Sequence, residues 1–426
     1  MISTTTIKKR LEDREHNDRL CKLYVTEDVS IQCTRLIRLV QNYEKYFGEA
    51  EIALFSAPGR TELGGNHTDH QHGRVLAASV NLDIIACAAP NGTNIIRIQS
   101  EGYPMDTIDL SDMLPQANEV NKTTALIRGV AAAAQQRGYA VGGFDAYMTS
   151  SVLSGSGLSS SAAYETMIGV IVNEFFCNGE LDAVTIAKIG QYAENVYFGK
   201  PCGLMDQMAS SVGSIVAIDF ADEKNPQVEE IRFPFADYGH ALCIIDTGAD
   251  HADLTDAYAA VPQEMKAVAA YFGKPVLREV PEEQFWAKLP ALRTQCGDRA
   301  VLRAAHFFAE NDRAHREAQA LKDGDFAAFL ALVRESGQSS FMYLQNVYTN
   351  QSPDRQAVSV ALLLAEKLLR GRGAVRVHGG GFAGTIQAFV PNDMLDAFQQ
   401  GMEAVLGAGS CHVLNIRPVG GTVLVS

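Results

Sequence analysis

A glycine-serine loop, Ser154-Gly155-Ser156-Gly157-Leu158-Ser159-Ser160-Ser161-Ala162-Ala163, joins two segments of opposite character. Before it, Phe144 to Ser150 alternates apolar and polar residues as a strand does. After it, Ala162 to Phe176 is apolar almost throughout, the pattern of a helix that must be buried. A strand entering such a loop and leaving it as a buried helix calls for a sheet with helices layered on it. The glycines let backbone approach a ligand closely. The serines leave small hydroxyls and free N–H groups at a helix N-terminus, which suits a polyanion such as a nucleotide phosphate chain. The loop lacks the lysine of a Walker A sequence, so a P-loop NTPase of that kind is excluded. The plainer alternative is a flexible turn with a serine cap.

The 426 residues imply about two or three domains. Residues 1–50 read as mainly helical, with helical spacing clearest from Ile31 to Phe47. Ile52 to Ala57 alternates as a strand and is expected to break at Pro58-Gly59; Val75 to Ala89 and Ile95 to Gln99 are further strands. Helices are expected over Thr123–Arg137 and Leu181–Tyr197, then a strand over Ser214–Phe220. Polar residues from Ala221 to Gln227 are the best linker candidate, which divides the chain into 1–225 and 226–426. Beyond it come a buried strand, Ala241 to Asp246, and a long helical stretch over 252–345. A helix over Gln356–Arg370 and strands Ala374–His378 and Thr385–Val390 flank a glycine run, Gly379 to Gly384, and a last helix follows. Strands and helices do not alternate regularly, so the expected class is α+β in two domains.

Charge and cysteine usage narrow the partners. Against 50 acidic side chains stand 36 basic ones, a net charge of −14, which argues against nucleic acid and anionic membranes. A small anion site remains compatible with it, because a few cations and N–H groups suffice. Eight cysteines at 21, 33, 87, 177, 202, 243, 296 and 411 include no C-x-x-C pair, the usage of a reduced cytoplasmic enzyme. The N-terminus lacks the apolar core of a signal peptide, and no segment approaches the roughly 18 apolar residues of a membrane span. A soluble cytoplasmic protein is expected.

Two further loops carry polar groups. Gly59-Arg60-Thr61-Glu62-Leu63-Gly64-Gly65-Asn66-His67-Thr68-Asp69 follows an apolar strand and suits a polyhydroxylated ligand. Asp69 and Asn66 can accept hydrogen bonds from hydroxyls, and Arg60 can offset negative charge. His67, His70 and His72 invite a metal reading, but their spacing fits no zinc pattern. The other loop runs from Glu194 to Gln207 and ends Cys202-Gly203-Leu204-Met205-Asp206-Gln207. Asp206 among apolar neighbours is a general-base candidate or a helix cap; Glu194 alone reads as a surface helix residue. The late run Gly379-Gly380-Gly381-Phe382-Ala383-Gly384 lies between two strands, so it is a tight hairpin and no dinucleotide fingerprint.

In this order, over roughly residues 50–390, these loops resemble the GHMP family of small-molecule kinases, and within it the branch that phosphorylates galactose. The resemblance implies ribosomal-S5-like and ferredoxin-like halves around a cleft. It implies ATP wrapped by Gly155, Ser156, Gly157, Leu158, Ser159, Ser160 and Ser161, with Ser100 on the nucleotide and Mg²⁺ on Ser161 and Glu194. Asp206 and Arg60 would be catalytic. Asn66, His67, Thr68, Asp69 and Tyr258 would line the sugar. The implied reaction is ATP-dependent phosphorylation of galactose at the anomeric hydroxyl, by a monomer. A kinase for another sugar or amino sugar, or a non-catalytic sugar sensor, are the alternatives.

The sequence departs from the pattern in places. That branch generally carries Gly-Glu-His-Thr-Asp where this chain has Gly65-Asn66-His67-Thr68-Asp69, so an acid acceptor is replaced by an amide that also donates. The change falls on the sugar side. A usual basic pair after Tyr258 is replaced by Ala259-Ala260, and His378 and Ala383 are unusual in the late glycine loop.

Overall fold

A computed structural model describes residues 1–152, 157–200, 202–222, 224–249 and 254–426. Its centre is a mixed nine-stranded sheet built on two long antiparallel strands, Glu51–Gly64 and Arg74–Pro90. The second strand continues on to Phe144–Ser150 at one end and to Ile215–Asp219 at the other. Alternate residues of the long strands face two different cores. Phe55, Ala57, Ala86 and Ala88 pack under helices Thr123–Gln136 and Ser160–Phe176. Ile52, Leu54, Ile85 and Cys87 pack under the N-terminal helices, of which Ser30–Phe47 is the longest. Burial on both faces is why these strands read as nearly continuous apolar runs.

The first strand does not break at Pro58-Gly59 as expected. It runs on to Gly64, with a shift in pairing between Pro58 and Arg60 that absorbs the proline. Gly59 has a separate reason: a Cβ there would lie 2.9 Å from the Leu158 carbonyl and 3.1 Å from Val152. The strand and the glycine-serine loop can approach closely only because position 59 has no side chain.

The linker expected over Ala221–Gln227 is instead the turn of a hairpin, in which Ile215–Asp219 pairs with Gln227–Ile231. A division after residue 225 therefore cuts that hairpin, and the C-terminal strand Thr422–Val425 also returns to the large sheet. A polar stretch of this composition serves a turn as well as a linker, which is why the sequence did not separate them. The expected helix over Leu181–Tyr197 ends as an α-helix at Tyr192 and widens into a π-turn over Ala193–Phe198.

The C-terminal half holds a four-stranded antiparallel sheet in the order Ala374–Val377, Thr385–Pro391, His240–Asp246, Cys411–Leu414. Helices Ala357–Leu369 and Leu395–Leu406 cover one face, and Phe326–Ser339 covers the other. The long helix Asp298–Lys322 lies against the first sheet and packs on helix Thr255–Tyr271. All eight cysteines carry free thiols. Among the described residues no helix is long and apolar enough to cross a membrane.

Candidate active site

Three segments far apart in sequence meet at one cavity of about 250 Å³, lined by Arg60, Gly157, Leu158, Ser159, Ser160, Ser161, Lys200 and Asp206. Arg60 arrives on the long strand, its N–H donating to the Leu158 carbonyl at 2.9 Å. Its guanidinium grips Asp206 with two parallel bonds, Nε to Oδ1 at 2.7 Å and Nη2 to Oδ2 at 2.8 Å. The third donor, Nη1, reaches the Gly157 carbonyl. Ser159 Oγ donates to Asp206 Oδ2 at 2.8 Å. Burial would push the Asp206 carboxyl up, but the Arg60 charge, the Arg60 hydrogen bonds and Ser159 outweigh it and hold it below the usual value. Asp206 therefore stays ionised at neutral pH, with 31% of its side chain still open to solvent.

Asp206 opens helix Met205–Val212, and the next residue faces the other way. Gln207 Nε2 donates to Glu194 and to Glu165, both at 2.9 Å. Burial and the neighbouring Glu194 drive the Glu165 carboxyl well up, so it sits beside Glu194 as a neutral acid. The other oxygen of Glu194 faces Lys200 Nζ at 3.5 Å. Ser161 lies in the first turn of helix Ser160–Phe176, on the same cavity. Ser159 before it adopts a left-handed backbone, φ 53°, rare for a serine and maintained by its bond to Asp206. Gly155 and Ser156 lie outside the described residues. Leu158 is buried, so only its backbone faces the cavity, and Ser100 closes strand Ile95–Ser100 away from the cavity lining.

The presumed sugar loop sits beside this cavity. Asp69 packs against Gly203, where a Cβ would come within 2.7 Å of its Oδ2. His67 Nε2 donates to the Gly380 carbonyl at 3.0 Å. Burial and adjacent His70 push His67 down to about 4, which leaves a neutral ring. Tyr258 Oη donates to the Gly381 carbonyl at 2.6 Å, with its ring edge-on to Phe382 and against Gly380. His67 and Tyr258 thus meet at the late glycine hairpin, while Asp69 lies against Gly203.

Two residues expected on the sugar are turned into the protein. Thr68 is fully buried and closes its own turn, its single hydroxyl proton shared between the carbonyls of Gly65 (2.9 Å) and Arg74 (2.5 Å). Asn66 is fully buried too, and each of its polar atoms has a protein partner. His378, noted for its rarity, bridges Thr61 (3.0 Å) and Thr385 (2.9 Å) directly beneath Gly157. Among the described residues no cluster of three or more His, Cys, Asp or Glu could hold a metal by itself.

Sequence reasoning missed the scaffold behind the loop. Glu310, on the long helix, accepts from the Gly65 and Asn66 N–H groups at 3.2 and 3.3 Å. His306 Nε2 donates to the Asn66 carbonyl at 2.9 Å. Burial opposes the Glu310 charge, but His306, Arg313 and Arg376 overcome it and bring the carboxyl from 4.5 down to about 2. A carboxyl lowered on folding adds stability above its unfolded value, and that stability is lost as pH falls through the folded one. Glu310→Gln is therefore expected to lower the melting temperature at pH 7 and to flatten its fall between about pH 4.5 and 2. Unchanged melting at both ends would show that Glu310 does not hold the loop.

Comparison with known proteins agrees with this geometry. Residues 41–90 match a family described as galactokinase galactose-binding signature, and residues 125–214 match the GHMP kinases N terminal domain. A galactokinase of Glaesserella parasuis is 31% identical over 360 residues, covering 84% of this chain and 90% of the relative. The chain belongs to the galactokinase family. A Streptomyces coelicolor galactokinase is 29% identical over 372 residues, 86% of this chain and 92% of its own length. Among solved structures, Lactococcus lactis galactokinase complexed with galactose superposes with a TM-score of 0.76 at 25% identity, over 91% of this chain and 99% of that one. A mevalonate kinase structure, at 14% identity and a TM-score of 0.59, shares the fold, the two-part α+β architecture of GHMP kinases.

Proposed function

We propose that this galactokinase-family chain phosphorylates galactose at its anomeric hydroxyl with ATP as donor. The observation that carries the reading is Asp206, held ionised by Arg60 and Ser159 at the N-terminus of a helix that faces the same cavity. Phosphoryl transfer needs chiefly positioning and charge neutralisation. Backbone N–H groups and serines at the start of helix Ser160–Phe176 suit the phosphate chain. Lys200, on the cavity wall, adds a positive charge that the sequence did not signal.

Asp206 takes the sugar side of the reaction. Its lowered pKa makes it a weak base, so it chiefly orients the anomeric hydroxyl and receives the proton late, when the oxygen has bonded to phosphorus. Arg60 keeps that carboxylate charged and lies beside the Gly157 carbonyl, where charge builds on the transferring group. His67, Asp69 and Tyr258 are the proposed sugar contacts, while Asn66 and Thr68 shape the loop that carries them. Ser161 and Glu194 are hard oxygen donors, one on the cavity and one reached through Lys200, and so fit Mg²⁺. The bound ion would neutralise phosphate charge. The free cysteines accord with a cytoplasmic setting, and we propose a monomer.

The test is ATP-to-ADP turnover with Mg²⁺ across galactose, glucose, N-acetylgalactosamine, arabinose, mevalonate and homoserine. Turnover with galactose, giving the 1-phosphate, is expected. Turnover only with another sugar would overturn the substrate, and galactose binding without turnover would make the chain a sensor.

A further inference from the structure

The buried amide of Asn66 lies against a buried carboxyl group. Glu62, four residues earlier and near the end of strand Glu51–Gly64, is buried and accepts from Asn66 Nδ2 at 3.0 Å on Oε1. The same oxygen accepts from Arg376 Nη2 at 2.7 Å. Arg376 is almost fully buried, and its other donors go to the carbonyls of Leu63 (2.9 Å) and Val377 (3.1 Å). The guanidinium thus has one anionic partner among these contacts, and it sits within about 6 Å of the side chain at 66 through the shared oxygen.

An amide at position 66 matches its surroundings group for group. The second Nδ2 hydrogen of Asn66 goes to the Gly379 carbonyl at 2.7 Å, and its Oδ1 accepts from Asn346 Nδ2 (2.8 Å) and Ser340 Oγ (3.3 Å). Asn346 Nδ2 also donates to the Gly380 carbonyl at 3.1 Å, the atom that His67 holds. An ionised carboxylate at 66 has no N–H for either Glu62 or the Gly379 carbonyl.

We propose that Glu62 and Asn66 are a matched acid–amide pair, in which Glu62 joins Arg376 to the amide and Asn66 clamps the sugar-recognition loop to the glycine hairpin. Glu62 is a positioning residue, acting through Asn66 on His67 and Asp69 rather than by touching the sugar. The assignment of the sugar rests on the function proposed above; the pairing itself does not.

The experiment is a double-mutant cycle with isosteric changes: Glu62→Gln, Asn66→Asp and the two together. Glu62→Gln removes the carboxyl that Arg376 hydrogen-bonds, and Asn66→Asp removes both amide N–H groups and sets a second carboxyl beside Glu62. Each single variant is expected to raise the KM for galactose about tenfold or more, with the KM for ATP within about twofold. The double variant keeps one carboxylate within reach of Arg376 and reverses the hydrogen bond. It is expected to lie nearer wild type than the worse single variant, in both KM and melting temperature. It stops short of full recovery, because the bond to Gly379 is lost.

Effects that simply multiply in the double variant would overturn the pairing. Melting temperatures that fall while the sugar KM stays constant would overturn the positioning role. If wild type turns over a different sugar of the panel, the substrate reading fails and the cycle is read on that sugar. With no turnover at all, coupling between the four melting temperatures still decides the pairing. Should Glu62→Gln fail to fold, Glu62→Asp, which keeps the charge but withdraws it by one methylene, takes its place.

Discussion

Asp206→Asn is expected to lower kcat by about 10²–10⁴ while the KM for ATP stays within about twofold. Asparagine keeps the shape of the side chain and an oxygen for Ser159 or Arg60, so the loop has little reason to move. What it removes is the negative charge and the ability to take a proton. An amide at 206 can still receive a hydrogen bond from the anomeric hydroxyl, but it does not stabilise the positive charge that grows on that oxygen as the P–O bond forms. The loss should therefore fall on kcat and on kcat/KM equally, the pattern of an interaction made in the transition state. Steady-state kinetics with galactose and ATP varied in turn would measure it. Turnover at the wild-type rate would remove Asp206 from the mechanism.

The parts of the site that the sequence displayed are those built from local backbone chemistry. The Gly157 to Ser161 loop is legible because a strand, a glycine and a serine-rich helix start are contiguous, and each restricts the backbone in a known way. Gly59-Arg60 and Gly203 are legible as glycines, although only the structure gives their reasons: the Leu158 carbonyl in one case, Asp69 in the other. The α+β class followed from element order alone. The buried polar scaffold was not legible. Glu310, His306, Asn346 and Arg376 lie 240 to 314 residues from the loop atoms they hold, and nothing local in a helix or strand marks such a residue. A glutamate in a helix reads as a solvated face until its partner is known.

The same limit explains the errors on the loop itself. Polar side chains in a Gly-rich segment read as ligand contacts, and the sequence does not separate half-buried His67 and Asp69 from fully buried Asn66 and Thr68. Thr68 and Asn66 have the same composition signal, but their hydroxyl and amide satisfy backbone and side-chain groups that would otherwise be orphaned. Gln207, next to Asp206, carries no catalytic signal in the sequence, because an amide does no acid–base chemistry of its own. Its role lies in joining Glu165 to Glu194, which a sequence cannot display.

Arg60→Met is expected to be as damaging as any single change on the catalytic side and to leave a distinct mark on the pH profile. The side chain is buried at its stem and makes three hydrogen bonds at once, two to Asp206 and one to the Gly157 carbonyl. Methionine fills much of the volume and removes every donor, so kcat should fall by about 10²–10³ or more. The pH effect follows from what holds Asp206 ionised. In wild type, burial works against the charge and Arg60 overrides it, so the carboxyl titrates below 3.8 and the acid limb of kcat/KM lies outside the working range. Without Arg60, Ser159 and distant Lys200 are left to oppose burial, and the carboxyl rises. Activity depends on the ionised form, so the residual kcat/KM of Arg60→Met should fall as pH decreases through a range where wild type is flat. Arg60→Lys keeps a charge but loses the paired geometry, and its acid limb should lie between the two. An acid limb in Arg60→Met at the wild-type position would mean that Arg60 does not set the charge of Asp206, whatever it does for the phosphoryl group.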